Sequence, residues 1–358
     1  MRRCIVFVIS FISAIATGTA AADVTAFVNV NVLPMSAERV LAQQTVIVRD
    51  GTIRTIGDVD VIPVPEDARV VDGTDRFLIP GLAEMHAHVP PAGSNELERD
   101  LALYVANGVT TVRGMLGHAS HLQLREDLLE GRIIGPRLIT SGPSLNGRSV
   151  SGAADGARQV REQHAAGYDF VKIHPGLDDA EFAAIARTAN ELGIPLAGHV
   201  PVSVGLGNAL QAGMASIDHL DGYMAALMPP NYDASGGYGG FFDVLLAGDV
   251  DMDRIASLAE ATAAAGTWTV PTETLVEQLI NEVPVGELRN RTEMQYMSSA
   301  TVDRWVEAKQ RQLQERGFSE EVATRAIAIR RSLIHALHEA GAGILLGSDA
   351  PQIFNVPG

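Results

Sequence analysis

Short runs rich in Val, Ile and Thr mark the first part of the chain, at residues 25–30, 44–48 and 52–57. β-Branched residues in runs of this length favour strands, and the Asp50-Gly51 pair between the second and third predicts a hairpin. Residues 23–79 therefore read as a small all-β domain. From Leu82 the pattern changes to Ala-, Glu- and Leu-rich helical stretches, each closed by a glycine and followed at once by a strand-like run. Six such junctions occur, at Gly108, Gly167, Gly193, Gly213, Gly266 and Gly341. A glycine after the last helical turn suits a left-handed C-cap, and the alternation of helix and strand predicts a parallel sheet. Eight strands are expected, at 82–88, 110–114, 137–142, 169–173, 195–199, 216–219, 267–270 and 343–348.

The 268 residues from Leu82 to Asp349 fit a (β/α)8 TIM-like barrel. An open doubly wound sheet is the alternative. Against it, Gly205-Leu206-Gly207 lacks the third glycine of a dinucleotide loop and reads as a helix start. The Gly-rich stretch 233–240 after the sixth strand has two open readings, a mobile lid and a disordered surface loop. The sequence stops at Gly358, nine residues past Asp349. The expectation is thus an α/β barrel over residues 80–358 lacking its eighth helix, behind a small, incomplete N-terminal β-sandwich over 23–79.

The first 22 residues stand apart. Arg2-Arg3, an apolar run over 4–16 and a small-residue stretch ending Ala20-Ala21-Ala22 match a secretory signal peptide. A membrane anchor would need about 20 apolar residues, and Cys4 precedes the apolar run where a lipid-bearing cysteine would follow it. An exported protein, periplasmic or secreted and without a stable membrane anchor, is expected. Removal of residues 1–22 would take away the single cysteine and two arginines, shifting the formal charge from -16 to -18. Thiolate nucleophiles and cysteine zinc sites then drop out.

Charge narrows the partners further. With 27 Lys plus Arg against 43 Asp plus Glu, a phosphate-neutralising surface is not expected, which argues against nucleic acid. A small molecule or short peptide is the expected partner, and self-association into a homo-oligomer stays open.

The candidate chemistry lies at strand ends. His86 and His88 in Pro80-Gly81-Leu82-Ala83-Glu84-Met85-His86-Ala87-His88 point to one side of a strand, as two imidazole ligands of a metal would. Alone, such a pair is as readily incidental. His199, His219 and Asp349 each end a later expected strand, and in a barrel the C-terminal strand ends carry the active site. Lys172 lies inside the fourth strand, in Phe170-Val171-Lys172-Ile173-His174. Burial there would favour a neutral amine, which can add carbon dioxide to give a carbamate able to bridge two cations. A lysine whose stem runs out to solvent is the plainer reading.

With these motifs the sequence resembles the amidohydrolase superfamily, in particular its imidazolonepropionase- and prolidase-like metal-dependent hydrolases. The resemblance runs from the β segment before Pro80 to the end of the chain. It implies two divalent metal ions, zinc by preference: one held by His86, His88 and Asp349, the second by His199 and His219, with a carboxylated Lys172 bridging them. It implies hydrolysis of an amide bond in a dipeptide or N-acyl amino acid, with Asp349 as the catalytic base and acid. A mononuclear deaminase of the same fold would carry a glutamate where Val202 stands. A lactonase and a non-catalytic fragment are the remaining alternatives.

Three further residues are candidates for contact with substrate. His174 shares a face with Lys172 and fits either substrate contact or a hydrogen bond that supports a ligand; Tyr223, four residues past His219, fits either a hydrogen bond to a substrate carbonyl or carboxylate or simple loop packing. Arg113, after the second strand, fits either a substrate carboxylate or a buried ion pair. His118, His121, His164, His335 and His338 read as surface or packing residues of helical stretches.

Overall fold

The computed structural model describes residues 23–230 and 241–358. The leader 1–22 and the Gly-rich stretch 233–240 lie outside the described residues. The chain divides after Pro80 into two compact units.

The first unit is one five-stranded sheet. Its strands are β1 (Val24–Val32), β2 (Leu41–Arg49), β3 (Thr52–Asp58), β4 (Arg69–Asp72) and β5 (Phe77–Leu78). They run in the order β3-β2-β1-β4, and β5 also pairs with β1. Asp50 and Gly51, at φ 51° and 70°, make the two-residue turn between β2 and β3, which pairs Arg49 with Thr52. Both residues at positive φ is the type I′ geometry that matches strand twist. Because β4 and β5 pair in parallel with β1, they extend the sheet and do not form a second layer. The two layers of a sandwich are not found among the described residues.

The second unit alternates strand and helix. Its first half contains β6 (Leu82–Ala87), α1 (Leu97–Ala106), β7 (Val109–Gly114), α2 (His121–Leu129), β8 (Arg137–Thr140), α3 (Ala153–Ala166) and β9 (Val171–Ile173). Then come α4 (Asp179–Leu192), β10 (Leu196–Gly198), α5 (Gly205–Gln211), β11 (Ser216–Asp218) and α6 (Tyr223–Ala226). α7 (Ile255–Ala265) leads to β12 (Trp268–Val270). Four helices follow: α8 (Glu273–Ile280), α9 (Val285–Arg289), α10 (Ser299–Leu313) and α11 (Glu320–Glu339). All six junction glycines have φ between 67° and 86°, the region a Cβ disfavours. Gly205-Leu206-Gly207 opens α5. No helix among the described residues is long and apolar enough to cross a membrane.

The strands form two parallel sheets, β6-β7-β8 and β9-β10-β11-β12. Backbone bonds from Asp169 N to the Thr140 carbonyl (3.0 Å) and from Leu145 N to the Lys172 carbonyl (2.9 Å) join them on one side. On the other side residues 343–350 lie between β12 and β6. Leu345 N donates to Thr269 O at 2.8 Å, Met85 N to Leu346 O at 2.9 Å and His88 N to Ala350 O at 2.9 Å. This segment is not the regular strand expected over 343–348: it has a single bridge, Thr269 with Ile344. It passes very close to its neighbours, since a Cβ on Gly347 would lie 2.5 Å from Val270 Cγ1 and 3.1 Å from His86 Cβ.

Helix α4 shows how sequence positions each αβ unit. Asp178 accepts from Glu181 N at 2.8 Å and the Glu181 carboxylate accepts from Asp178 N at 3.0 Å, a reciprocal cap that fixes the helix start. Phe182, Ile185, Ala186 and Ala189 follow at helical spacing and are all buried in the main core, where α4 packs on α3. Burying a side chain of the size of Ile185 contributes roughly 1.5–3 kcal/mol, so this face docks the helix and thereby sets the strand ends.

Candidate metal centre

His86 lies in β6 and His88 just beyond it; Lys172 lies in β9; His199 and His219 follow β10 and β11; Asp349 follows the irregular last segment. The structure brings these residues together. The imidazoles of His86 and His219 are 4.5 Å apart between centroids, and those of His199 and His219 are 4.7 Å apart. Asp349 Oδ1 is 2.9 Å from His88 Nε2 and 3.6 Å from His86 Nε2, and Oδ2 is 3.8 Å from His219 Nδ1. His219 and Asp349 have φ of 62° and 63°, a backbone region costly for residues with a Cβ and often found where a site holds its groups in place.

Neighbouring side chains orient the histidines. Thr272 Oγ1 donates to the Pro271 carbonyl at 2.8 Å, so toward His219 it accepts, from Nδ1 at 2.7 Å. That leaves the lone pair of His219 on Nε2. The Asp221 carboxylate accepts from His199 Nδ1 at 2.7 Å with the same result for His199. A ligating imidazole is commonly held this way through its second nitrogen. Burial, the largest influence, lowers the pKa of His86 to about 4 and that of His219 well below its ordinary value, so both are neutral at pH 7.

Glu84 joins the two ends of the constellation. Its carboxylate accepts from His86 N at 2.7 Å, Ser348 N at 3.0 Å and Ser348 Oγ at 2.5 Å, tying β6 to the segment that carries Asp349.

Beneath the histidines lies an ion network centred on Asp218. Its carboxylate is fully buried and lies 3.1 Å from Arg113 Nη2, 3.4 Å from Lys172 Nζ and 3.2 Å from His86 Nδ1. Burial alone would raise its pKa, but Arg113, Lys172 and His86 together outweigh burial and hold it well below the usual carboxylate range. Asp218 was not a candidate from sequence. The available signal was its place two residues after Ser216, on the same strand face and one residue before His219.

Two of the candidates for substrate contact are engaged within the core. Arg113 donates to Met85 O at 2.7 Å, Ser216 Oγ at 3.0 Å and Asp218 at 3.1 Å. With every arm of its guanidinium engaged in the buried network, it is an ion-pair partner and not a substrate group. Tyr223 begins α6 and is fully buried in the core, its hydroxyl 2.8 Å from Thr262 Oγ1; it does not face the histidines. His174, half-buried, stacks on His199 at 4.9 Å and 28°. Lys172 is fully buried, which excludes a stem running to solvent, and burial lowers its pKa. His121 is buried against Thr140 and Pro90, and His118 precedes α2 and does not lie within a helix.

The constellation fits a divalent cation. Ligand atoms of His86, His219 and Asp349 all lie within 4.8 Å of one another. His86 turns Nδ1 to Asp218 at 3.2 Å and Nε2 to Asp349 at 3.6 Å, so the nitrogen on the Asp349 side is the one placed to hold an ion.

A parallel α/β unit with buried histidines and a carboxylate gathered at its strand ends defines a metal-binding class of α/β protein. The chain belongs to the amidohydrolase family, whose model matches residues 77–357. No curated protein matches the sequence. Among solved structures, a bottromycin amidohydrolase is 23% identical with a TM-score of 0.67, covering 94% of this chain and 71% of its own. A Xaa-Pro dipeptidase with bound methionine is 16% identical, with a TM-score of 0.61 and coverage of 94% and 81%. A prolidase complexed with N-methylphosphonate-L-proline is 17% identical, with a TM-score of 0.61 and coverage of 92% and 79%. At these identities the likeness is one of fold.

Proposed function

We propose that the protein is a binuclear metal-dependent hydrolase of amide bonds, acting on dipeptides or N-acyl amino acids. The observation that carries this reading is the buried set His86, His219 and Asp349, whose ligand atoms lie within 4.8 Å of one another. His86, His88 and Asp349 would hold one ion, His199 and His219 the other, and Lys172 as a carbamate would stand between them. The carbamate forms when the neutral Lys172 amine adds to carbon dioxide and loses a proton. Zinc suits a site of imidazoles and carboxylates. Bound divalent cations supply a water acidic enough to attack at neutral pH and polarise the scissile carbonyl.

The residues of the chain do the rest. Asp349 takes the proton of the attacking water through its carboxylate and passes it to the leaving nitrogen as the C–N bond breaks, giving a carboxylate and an amine. An amine leaves poorly as an anion, so the position of that carboxylate matters. Thr272 and Asp221 hold His219 and His199 in the tautomer that presents Nε2. His174, stacked on His199, would contact substrate. We read the second unit as a (β/α)8-type barrel, on the backbone bonds that residues 343–350 make to both neighbours, and the single sheet of the first unit as one layer of an incomplete β-sandwich. Residues 1–22 are read as an export leader, on their charged start and apolar run.

The test is metal analysis of the purified protein together with a hydrolysis screen of dipeptides and N-acyl amino acids. About two equivalents of divalent metal and activity lost on chelation are expected. A protein that takes up no divalent cation would sink the proposal.

A further inference from the structure

Beside the metal centre lies a groove of about 460 Å³ between the loop after His88, the loop after Asp349 and helix α10. Its size is in the range of small-molecule sites. Pro90, Met297, Trp305, Pro351 and Ile353 give it an apolar lining. It meets the centre at one residue: Gln352 lines it and donates from Nε2 to Asp349 Oδ2 at 3.4 Å. Pro90 and Pro351 each stand two residues past His88 and Asp349, a reach of about 7 Å at most. That is comparable with one amino-acid residue extending from an amide held at Asp349.

Two cations line the groove, and they differ. Arg99 is neutralised by Asp100 at 2.7 Å. Arg304 is exposed on α10, and its guanidinium donates to the Thr301 hydroxyl at 3.0 Å with no carboxylate partner among the described residues. An unpaired guanidinium above an apolar wall fits a planar carboxylate attached to an apolar side chain. Glu96 on the same groove offers the opposite choice, an ammonium, which the experiment below separates.

We propose that this groove is the subsite for the leaving half of the substrate, an amino acid with an apolar side chain and a free carboxylate that Arg304 pairs. Identifying the occupant as half of a substrate rests on the hydrolase reading above. Specificity for an apolar leaving residue then comes from Trp305, Met297 and Ile353, and the requirement for a free carboxylate comes from Arg304.

The chain has two tryptophans, and Trp305 is 6% exposed in the groove while Trp268 is 48% exposed on β12. In a Trp268→Phe protein, Trp305 emission reports occupancy without requiring turnover. The zinc-loaded full chain is titrated with L-leucine and with L-leucinol, which differ in the carboxylate. The expected result is a saturable change in emission, with L-leucine bound at least about tenfold more tightly, a difference that Arg304→Ala removes and Arg304→Lys partly keeps. Equal affinity for the two, a preference that survives Arg304→Ala, or no response from Trp305 would overturn the subsite. Hydrolysis is scored separately. Carboxylate-dependent binding in a protein that cleaves no N-acyl-leucine or dipeptide refutes the hydrolase reading and leaves the subsite; cleavage indifferent to Arg304→Ala refutes the subsite alone.

Discussion

The guanidinium of Arg330 donates to the main-chain carbonyl of His219 at 2.8 Å. The same side chain donates to Pro271 O at 2.9 Å and to Glu273 at 2.8 Å, so one buried residue of α11 joins the ends of β11 and β12. His219 and Thr272, on either side of this clamp, both have left-handed backbone, at φ 62° and 47°. A three-armed donor with a carboxylate partner can hold two such turns together.

Arg330→Met should therefore leave the His219 carbonyl and the Glu273 carboxylate without a donor, and the Pro271 carbonyl with the Thr272 hydroxyl alone. A loss of roughly 3–5 kcal/mol is expected, as for other broken buried pairs. Arg330→Lys, with one ammonium in place of the fork, should recover only part of it. Urea denaturation of the metal-free protein measures both. A midpoint unchanged in Arg330→Met would show that the clamp does not bear on stability.

Thr272 acts on His219 through one hydrogen bond, and Thr272→Val removes that bond while keeping the β-branched shape. With Nδ1 no longer held, either tautomer of His219 becomes accessible. Metal affinity should fall by about 10–100-fold, the usual size of such outer-sphere changes. Competition with a chromophoric chelator reads this directly, and affinity equal to that of the parent would count against the tautomer argument.

How much of this could be read from the sequence depends on where each group finds its partner. His86, His88, His199, His219 and Asp349 sit at ends of runs that end in the same direction, so the αβ alternation alone suggested a shared location. Asp218, Glu84 and Arg330 were not visible. Glu84 meets Ser348, 264 positions away, and Arg330 meets His219 at a separation of 111, distances over which residue spacing carries no information. Tyr223 packs in the core because the chain turns into α6 soon after His219, through Gly222 at φ 77°, and sends the phenol toward Thr262. The last strand was read as regular because its residues are β-prone. Its close passage at Gly347 is a property of packing against β12 and His86 and leaves no mark on the local pattern.

Asp155 in the first turn of α3 provides a pH marker away from the metal centre. Its carboxylate accepts from Ser151 N at 3.0 Å, from Arg158 and from Gln159 Nε2 at 2.9 Å, which lowers its pKa from 3.8 to about 2. A depressed carboxylate contributes stability above pH 3.8 and loses it as pH falls through about 2, because the unfolded chain then binds more protons over that window. NMR titration of the Asp155 carboxyl should give a midpoint near 2, and Asp155→Asn should remove its share of the acid sensitivity. A midpoint at the ordinary value would mean that these hydrogen bonds are not formed in solution.

Asp218→Asn tests the ion network beneath the histidines. The substitution preserves shape but leaves Arg113 and Lys172, both buried, sharing a neutral amide where a carboxylate had balanced them. Unpaired buried charge is far costlier than the original pair is favourable, so a loss of roughly 3–5 kcal/mol is expected in the metal-free protein. Adding Arg113→Met removes one of the two cations and should restore part of that loss, because the remaining cation can shed its proton while arginine cannot. The double-mutant cycle in urea separates the pair from the packing around it. Additive effects of the two changes would mean that Arg113 and Asp218 are neighbours without energetic coupling, whereas a positive interaction of about 1 kcal/mol or more would make their pairing the element that fixes β7 against β11 and, through Asp218, the position of Lys172.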